Sequence, residues 1–236
     1  MLPIVSLIVP VLNDRTAVAH LLDSLPVDPA REIVVVDGGR NSGEDEVYAE
    51  RPDVRLVRTR AGRAYQMNAG AAASEGRWLL FLHADSVLPA NWMTAVSNAD
   101  ADRMCIGGWF RFELDDTAWQ ARVIERLVAW RVALLALPYG DQGIFVRREA
   151  FVRLGGFREI AIMEDVEFVR RLIRSGPTLP SDQGLVTSAR RWRRNGWFRR
   201  SAWNTCLVSL YLLGLPPQRL ARWYGAPGRD GGPQYP

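Results

Sequence analysis

The chain has 236 residues, of which 48% are hydrophobic, so it is long enough to bury one substantial core. Its two cysteines, Cys105 and Cys206, lie far apart and outside any CxxC or Cys/His cluster, which argues against a disulfide framework or structural zinc and predicts a cytoplasmic protein. The net charge is +4, and arginine is the only basic residue type besides histidine. No apolar run reaches the length of a membrane span, about 18 residues. The first residues lack the basic segment of a signal peptide.

The first half of the chain alternates apolar runs with helical patterns. The predicted strands cover residues 4–9, 33–36, 54–57 and 78–82, and the predicted helices cover 16–25 and 64–74. Continuous apolar strands that alternate with helices are typical of a parallel sheet covered on both faces. We therefore predict an α/β fold with a mostly parallel sheet.

The second half has a less regular pattern. Residues 107–112 predict one strand with a glycine kink, 119–137 one long helix, and 166–174 a further helix. From Ser188 the composition shifts to arginine and tryptophan, and residues 226–236 are typical of a disordered tail. We expect a body over 4–187 and a helical extension over 188–225.

Three of the predicted strands are followed by a carboxylate, Asp14, Asp37 and Asp85 respectively. Because the carboxyl ends of parallel strands meet at one edge of a sheet, the three side chains are expected in one crevice. Asp37, with the glycines after it, is suited to bind a base or ribose, and Asp85 to bind Mg²⁺ or Mn²⁺ beside substrate phosphates. The alternatives are that Asp14 caps a helix and that Asp37 belongs to a common turn.

Two further polar stretches are candidates for chemistry. Arg63 opens a helix whose amino end favours anions, so it is suited to pair with a phosphate; the alternative is an ordinary surface arginine. Glu164 and Asp165 precede a helix, where acidic pairs often serve helix electrostatics alone. They are equally suited to supply a general base whose proton affinity is raised by its acidic neighbour.

Five stretches together resemble family 2 glycosyltransferases, which have the GT-A fold. In chain order they read IVPVLNDR, IVVVDGG, GRAYQMNAGAAASEGRWLLFLHADSVLP, GDQGIFVRREAFVRLGGF and MEDVEFVRRL, over residues 4 to about 174. More narrowly, the chain resembles a bacterial subgroup of small members of this family. The ordered set is specific, whereas no single stretch would suffice.

The resemblance implies a nucleoside-diphosphate sugar as donor, a hydroxyl acceptor and a divalent cation, Mn²⁺ or Mg²⁺. The residues that it assigns to nucleotide binding are Pro10, Leu12, Asp14, Asp37, Gly39, Arg63, Gln66 and Asn68. Asp85 matches the last residue of the family's DxD motif, the metal ligand, whereas His83 departs from the first. Asp165 matches the catalytic base, with Glu164 as its partner.

The expected enzyme is an inverting, hexosyltransferase-type glycosyltransferase. Asp141 and Gln142 are candidates to orient donor sugar or acceptor, and His83 and Trp109 to contact the substrate. For Trp109 the alternative is a core residue, and for His83 it is a hydrogen-bonded structural histidine. Arg190-Arg191-Trp192 loosely matches the QxxRW motif of processive members, but the glutamine is missing, so polymer synthesis is not expected.

The arginine-rich segment opens a second hypothesis, a nucleic-acid or membrane-surface binding module. Residues 190–200 hold six arginines interleaved with Trp192 and Trp197, and an apolar stretch follows over 206–215. Nucleic-acid binding would not explain the ordered carboxylates, and we expect none. Two interpretations of the segment stay open. It attaches the protein peripherally to an anionic membrane surface, at the inner face of the cell membrane and with a lipid-linked acceptor, or it forms a final core helix.

A sugar-nucleotidyltransferase is a third hypothesis, but the Gly-rich signature of that group is absent.

Overall fold

The computed structural model describes residues 4–39 and 51–224 of the chain. The predicted tail over 226–236, and residue 225 of the predicted extension, lie outside the described residues. The strands in the described part are β1 Val5–Val11, β2 Arg31–Asp37, β3 Val54–Arg58, β4 Trp78–Phe81, β5 Ser86–Val87, β6 Gly107–Gly108, β7 Arg111–Leu114, β8 Ile144–Arg147 and β9 Gly184–Thr187.

The described helices begin and end close to the predicted ones where a prediction was made. They are α1 Arg15–Asp23, α2 Arg63–Ala73, α3 Trp92–Ala101, α4 Trp119–Leu135, α5 Arg148–Arg153, α6 Glu164–Ser175, α7 Arg190–Asn195, α8 Trp197–Leu212 and α9 Pro217–Tyr224. A single 3₁₀ turn, Gly140–Gln142, lies between α4 and β8 in this part of the chain. Helix α4 stops two residues short of its predicted end because Ala136 takes a left-handed conformation, with φ 46°.

The central sheet has six strands in the order β3-β2-β1-β4-β8-β6. The first four strands are parallel, β8 runs antiparallel to β4, and β6 runs antiparallel to β8 and so in the direction of the first four. Strands β1 and β4 are buried over their whole length, as their predominantly apolar sequences predict. The predicted α/β class with a mostly parallel sheet is therefore confirmed.

Helices cover both faces of this sheet. One face packs against α1 and α3, through residues such as Val18, Leu21 and Val96. The other packs against α2, α5 and α6, where Gly70 of α2 approaches the sheet so closely that an added Cβ would lie 2.8 Å from Val36 Cγ2. The alanine- and glycine-rich sequence of α2 thus lets its amino end, and Arg63, lie close to the strand ends.

The single strand predicted over 107–112 is wrong. The chain forms β6 in the central sheet and then β7 in a second, three-stranded sheet of order β5-β9-β7. Between them Trp109 and Phe110 bond to other segments, because Ser181 N–H donates to Trp109 O and Phe110 N–H to Gln142 O, both at 2.8 Å. These contacts carry the chain from one sheet to the other.

The C-terminal helices pack against the rest of the protein beside the 3₁₀ turn. Leu207 and Val208 of α8 and Leu220 of α9 are buried with Leu137 and Val166. None of the described helices combines the length and the apolar character needed to cross a membrane. The apolar stretch 206–215 thus contributes part of its side chains to a core cluster.

Candidate active site

The ends of β1, β2 and β4 lie side by side at one edge of the central sheet. In the register Val11 pairs with Asp37, and Ile8 pairs with Phe81. Asp14 and Asp85 follow these strand ends by a few residues. The structure therefore brings the ends that carry the three predicted carboxylates to the same edge.

The turns after β1 and β2 touch at Gly39. Gly39 N–H donates to Asp37 Oδ1 at 2.7 Å, and an added Cβ would lie only 2.8 Å from Asn13 Oδ1. A side chain at position 39 would therefore have to displace the Asn13 side chain. Asn13 has a positive φ of 56°. Asp14 also caps α1, since its Oδ1 accepts from Ala17 N–H at 3.3 Å, as the alternative interpretation held.

Arg63 lies between the strand end and the acidic pair. Its guanidinium donates to His83 Nε2, and its Nε lies 3.3 Å from Glu164 Oε1. Burial lowers the pKa of His83 well below its ordinary value, and the positive charges of Arg63 and Arg191 lower it further. His83 is therefore a neutral hydrogen-bond acceptor for Arg63 rather than a cation.

Glu164 and Asp165 have different surroundings. Glu164 is buried beside Arg63, and burial raises its pKa, with Arg63 opposing and Asp165 adding to the rise. Asp165 instead lines a small pocket with Pro10, Arg63, His83 and Gly140, among others. Its Oδ2 accepts from Gly140 N–H at 2.7 Å, and Oδ1 from Val166 N–H at 2.8 Å. Asp165 is thus the member of the pair that is open to a ligand.

The 3₁₀ turn brings Asp141 to the same site. Its Oδ1 is buried with no hydrogen-bond partner among the described residues. Burial raises the pKa of Asp141 to about 6; Arg131 opposes the rise, and the negative charges of Asp165 and Asp85 add to it. An added Cβ at Gly140 would lie 2.8 Å from Arg63 Nη2 and 2.9 Å from Asp165 Oδ2, so a side chain at this position would displace these two groups.

Arg131, which sequence reasoning did not single out, holds this turn from α4. Its Nε donates to Leu137 O at 3.0 Å and its Nη2 to Gln142 Oε1 at 3.1 Å. Its guanidinium lies 3.4 Å from the centre of the Tyr139 ring. The available signal was its position as the one charged residue in the apolar run 127–137.

Arg190 and Arg191, at the start of α7, also approach the site. Arg190 Nη2 lies 3.5 Å from Asp14 Oδ2, and the charge of Arg191 acts on His83. The segment with the loose QxxRW likeness is therefore placed at the edge of the sheet that carries the acidic residues.

Four residues that were predicted to contact a ligand instead bond to the protein's own backbone or are buried. Gln66 is fully buried and donates from Nε2 to Val11 O at 2.6 Å and Val36 O at 2.8 Å. Asn68 bonds both the N–H and the C=O of Phe157, at 2.9 and 2.8 Å.

Gln142 is likewise buried, and its Nε2 donates to Phe110 O at 3.1 Å. Trp109 is buried too, which agrees with the alternative that it is a core residue rather than a platform for a sugar ring. The described geometry gives Gln66, Asn68 and Gln142 positioning contacts, and their contact with a ligand stays a prediction.

A comparison with protein-family models matched "Glycosyl transferase family 2" to residues 6–158. A mannosyltransferase from Pyrobaculum calidifontis, PcManGT, solved with GDP-Man and Mn²⁺, superposes with a TM-score of 0.62 and 21% identity, over 92% of this chain and 67% of that one. TarS from S. aureus, residues 1–349, solved with UDP-GlcNAc, gives a TM-score of 0.59 and 16% identity over 78% of this chain. This chain spans 58% of that TarS chain. The curated proteins contained no significant match.

Proposed function

The chain belongs to glycosyl transferase family 2, and from that membership we propose that it moves a sugar from a nucleoside-diphosphate sugar to a hydroxyl acceptor with inversion at the anomeric carbon. One observation carries the proposal: Asp165 lines the same pocket as Arg63 and His83. A proton acceptor thus faces a cation suited to a diphosphate. The solved neighbours that hold GDP-Man and UDP-GlcNAc support a nucleotide sugar as the donor and a hexose as its sugar.

The donor would bind along the ends of β1 and β2. Asp37 and Gly39 would contact the base or ribose, with Pro10 and Leu12 forming the buried floor. Arg63, at the amino end of α2, would pair with the diphosphate. Since its Nε now lies 3.3 Å from Glu164 Oε1, a diphosphate would compete with that carboxylate for the guanidinium.

A divalent cation fits this edge with Asp85 as its protein ligand. The negative charge of Asp85 raises the pKa of Asp141, so acidic groups share this region and a cation would relieve their repulsion. Within residues 4–39 and 51–224 no three His, Cys, Asp or Glu side chains form a metal cage. Mg²⁺ commonly binds through one or two carboxylates plus substrate phosphates, which suits a lone Asp85. When bound, the ion supplies charge neutralisation at the departing diphosphate.

Asp165 would act as the general base. It would take the proton of the acceptor hydroxyl while that oxygen attacks the anomeric carbon from the face opposite the diphosphate. The Gly140 N–H at 2.7 Å fixes the carboxylate, and Gly140 belongs to the turn that carries Asp141. Asp141 would then orient the acceptor or donor sugar, and Arg131 would hold that turn.

Nucleoside-diphosphate release from a panel of GDP- and UDP-sugars, with Mn²⁺ or Mg²⁺, tests the proposal. Asp165→Asn keeps the shape but removes the base, so turnover should fall by about 10²–10⁴-fold while donor affinity persists. Glu164→Gln is the matched variant and should retain the larger share of activity. A dead Glu164→Gln beside an active Asp165→Asn would assign the base to Glu164 instead. Retained turnover in both variants would overturn the proposed general base.

A further inference from the structure

Helix α4 carries an exposed apolar stripe along one face. Trp119, Leu127, Trp130 and Leu134 are all exposed, and Val123 is half-buried between them. Their spacing of three, four or eight residues places them on one side of the helix, over about 22 Å of its length. The opposite face is buried through Ala121 and Ile124 in a cluster with Trp192. The stripe is therefore surplus to what α4 needs for its own packing.

Exposed arginines lie close to the stripe, on α4 itself and on α8. Residues 190–224 contain eight arginines and no aspartate or glutamate. The start of α8 adjoins the stripe, because the Phe198 ring lies 5.8 Å from the Trp119 ring, and Phe198 is itself exposed. Arg126 on α4 and Arg199 on α8 are exposed as well. An apolar stripe of this kind with arginines beside it matches the two components of an anionic membrane surface.

We propose that the α4 stripe docks this protein on an anionic lipid bilayer, with its tryptophan and leucine side chains in the interface and the arginines at the headgroups. Tryptophan is suited to that boundary because its ring is amphipathic. The aliphatic Leu127 and Leu134 offer no surface for stacking bases, so a nucleic acid fits less well. A second copy of the chain would bring like-charged arginine clusters together, which disfavours a dimer through this face.

Docking concerns a surface outside the active site, and its test needs no substrate. The full chain is sedimented with phosphatidylcholine vesicles that contain or lack phosphatidylglycerol, at low and high salt. The variant pair Trp130→Ser and Leu134→Ser removes side chains that are 67% and 81% exposed, so the fold should persist. The matched control, Met104→Ser with Val152→Ser, removes two side chains outside α4 that are each 69% exposed.

We expect the wild-type chain to sediment with phosphatidylglycerol vesicles and to be released by salt, because salt screens exposed charges. The stripe variant should lose binding by about tenfold or more, whereas the control should bind as the wild type does. Equal binding by the stripe variant, or no preference for phosphatidylglycerol, would overturn the proposal. So would absent vesicle binding together with a dimer, seen by light scattering, that the stripe variant dissociates.

Discussion

Asp85 is the residue at which the proposed metal dependence is most open to test. It is partly exposed after the end of β4, so Asp85→Ala should leave the protein folded. The affinity for GDP or UDP measured with Mn²⁺ should fall in this variant to the value measured with a chelator. Asp23→Ala, at the far end of α1 from Asp14, is the matched control and should behave as the wild type. Titration calorimetry with and without Mn²⁺ decides; an unchanged Mn²⁺ effect would remove Asp85 from this role.

Asp141 should make stability depend on pH. Its pKa in the folded protein is about 6, against an ordinary value of 3.8, so the folded state binds the proton more tightly between these pH values. Protonated Asp141 therefore contributes to the free energy of unfolding. This contribution is fully present below pH 3.8 and is lost as the pH rises through about 6.

Replacement of Asp141 by asparagine, which does not titrate, should remove this pH dependence. Near neutral pH the free energy of unfolding should rise by up to about 3 kcal/mol, because each unit of pKa is about 1.36 kcal/mol. Turnover should fall at the same time if Asp141 orients a substrate. Urea unfolding of wild type and Asp141→Asn across a pH series, with a chelator present, measures the effect; parallel pH profiles would contradict it.

The candidate site shows which residue-level predictions a sequence supports. Asp14, Asp37 and Asp85 could be predicted together because each follows a buried parallel strand, and the register fixes where strands end. The sequence could not predict whether a polar side chain such as Gln66 contacts a ligand or the backbone, because this depends on which carbonyl groups the fold places near it. The contact of Arg131 with Gln142 joins α4 to the 3₁₀ turn, and no spacing rule of a single element contains it.

At the scale of elements, the strands with continuous apolar runs were predictable and the short strands were not. β1 and β4 are buried on both faces, so their sequences leave few alternatives. Residues 107–112 also have the composition of one strand, yet they divide between two sheets. That division is set by partners distant in sequence, Gln142 and Ser181, which periodicity does not encode.

The contact between Arg131 of α4 and the 3₁₀ turn should affect catalysis by holding Asp141 in position. Arg131→Met keeps much of the side chain's volume but removes the bonds to Leu137 O and Gln142 Oε1. We expect kcat to fall about tenfold or more, because a misplaced Asp141 weakens orientation, with little change in the affinity for donor alone. Arg131→Lys retains a charge and should recover part of kcat. A variant with unchanged kcat, or one that loses donor affinity in proportion, would contradict a positioning role.

At the scale of the whole molecule, some arginines of the C-terminal helices pair with other groups of the protein, and others act on the candidate site. Arg193 is neutralised within the protein, since its Nε lies 2.5 Å from Asp116 Oδ2, and Arg200 bonds to the Tyr224 hydroxyl at 2.6 Å. Arg191 instead acts on His83 from the start of α7. The charge cluster visible in the sequence therefore serves packing and the site as well as the proposed lipid surface.

The chain is proposed to divide into a body over 4–187 and an extension from 188. We expect the extension to support the candidate site through its packing. Leu207 and Val208 of α8 pack with Met163 and Val166, on either side of Glu164 and Asp165. Met163 has a positive φ of 69°, a conformation that a non-glycine residue keeps only when its surroundings hold it. Loss of the α8 packing should therefore disturb the acidic pair as well as stability.

Leu207→Ala tests this coupling. A buried leucine exchanged for alanine typically costs about 2–5 kcal/mol, so the free energy of unfolding should fall by that amount, whereas Leu213→Ala should change it by less than about 0.5 kcal/mol because Leu213 is 80% exposed. Under conditions where both variants remain folded, Leu207→Ala should also lose turnover, because Met163 would no longer be held against α8. Urea unfolding and nucleoside-diphosphate release on the same samples separate the two effects. Full turnover in a destabilised Leu207→Ala would show that α8 supports the fold without holding Asp165 in place.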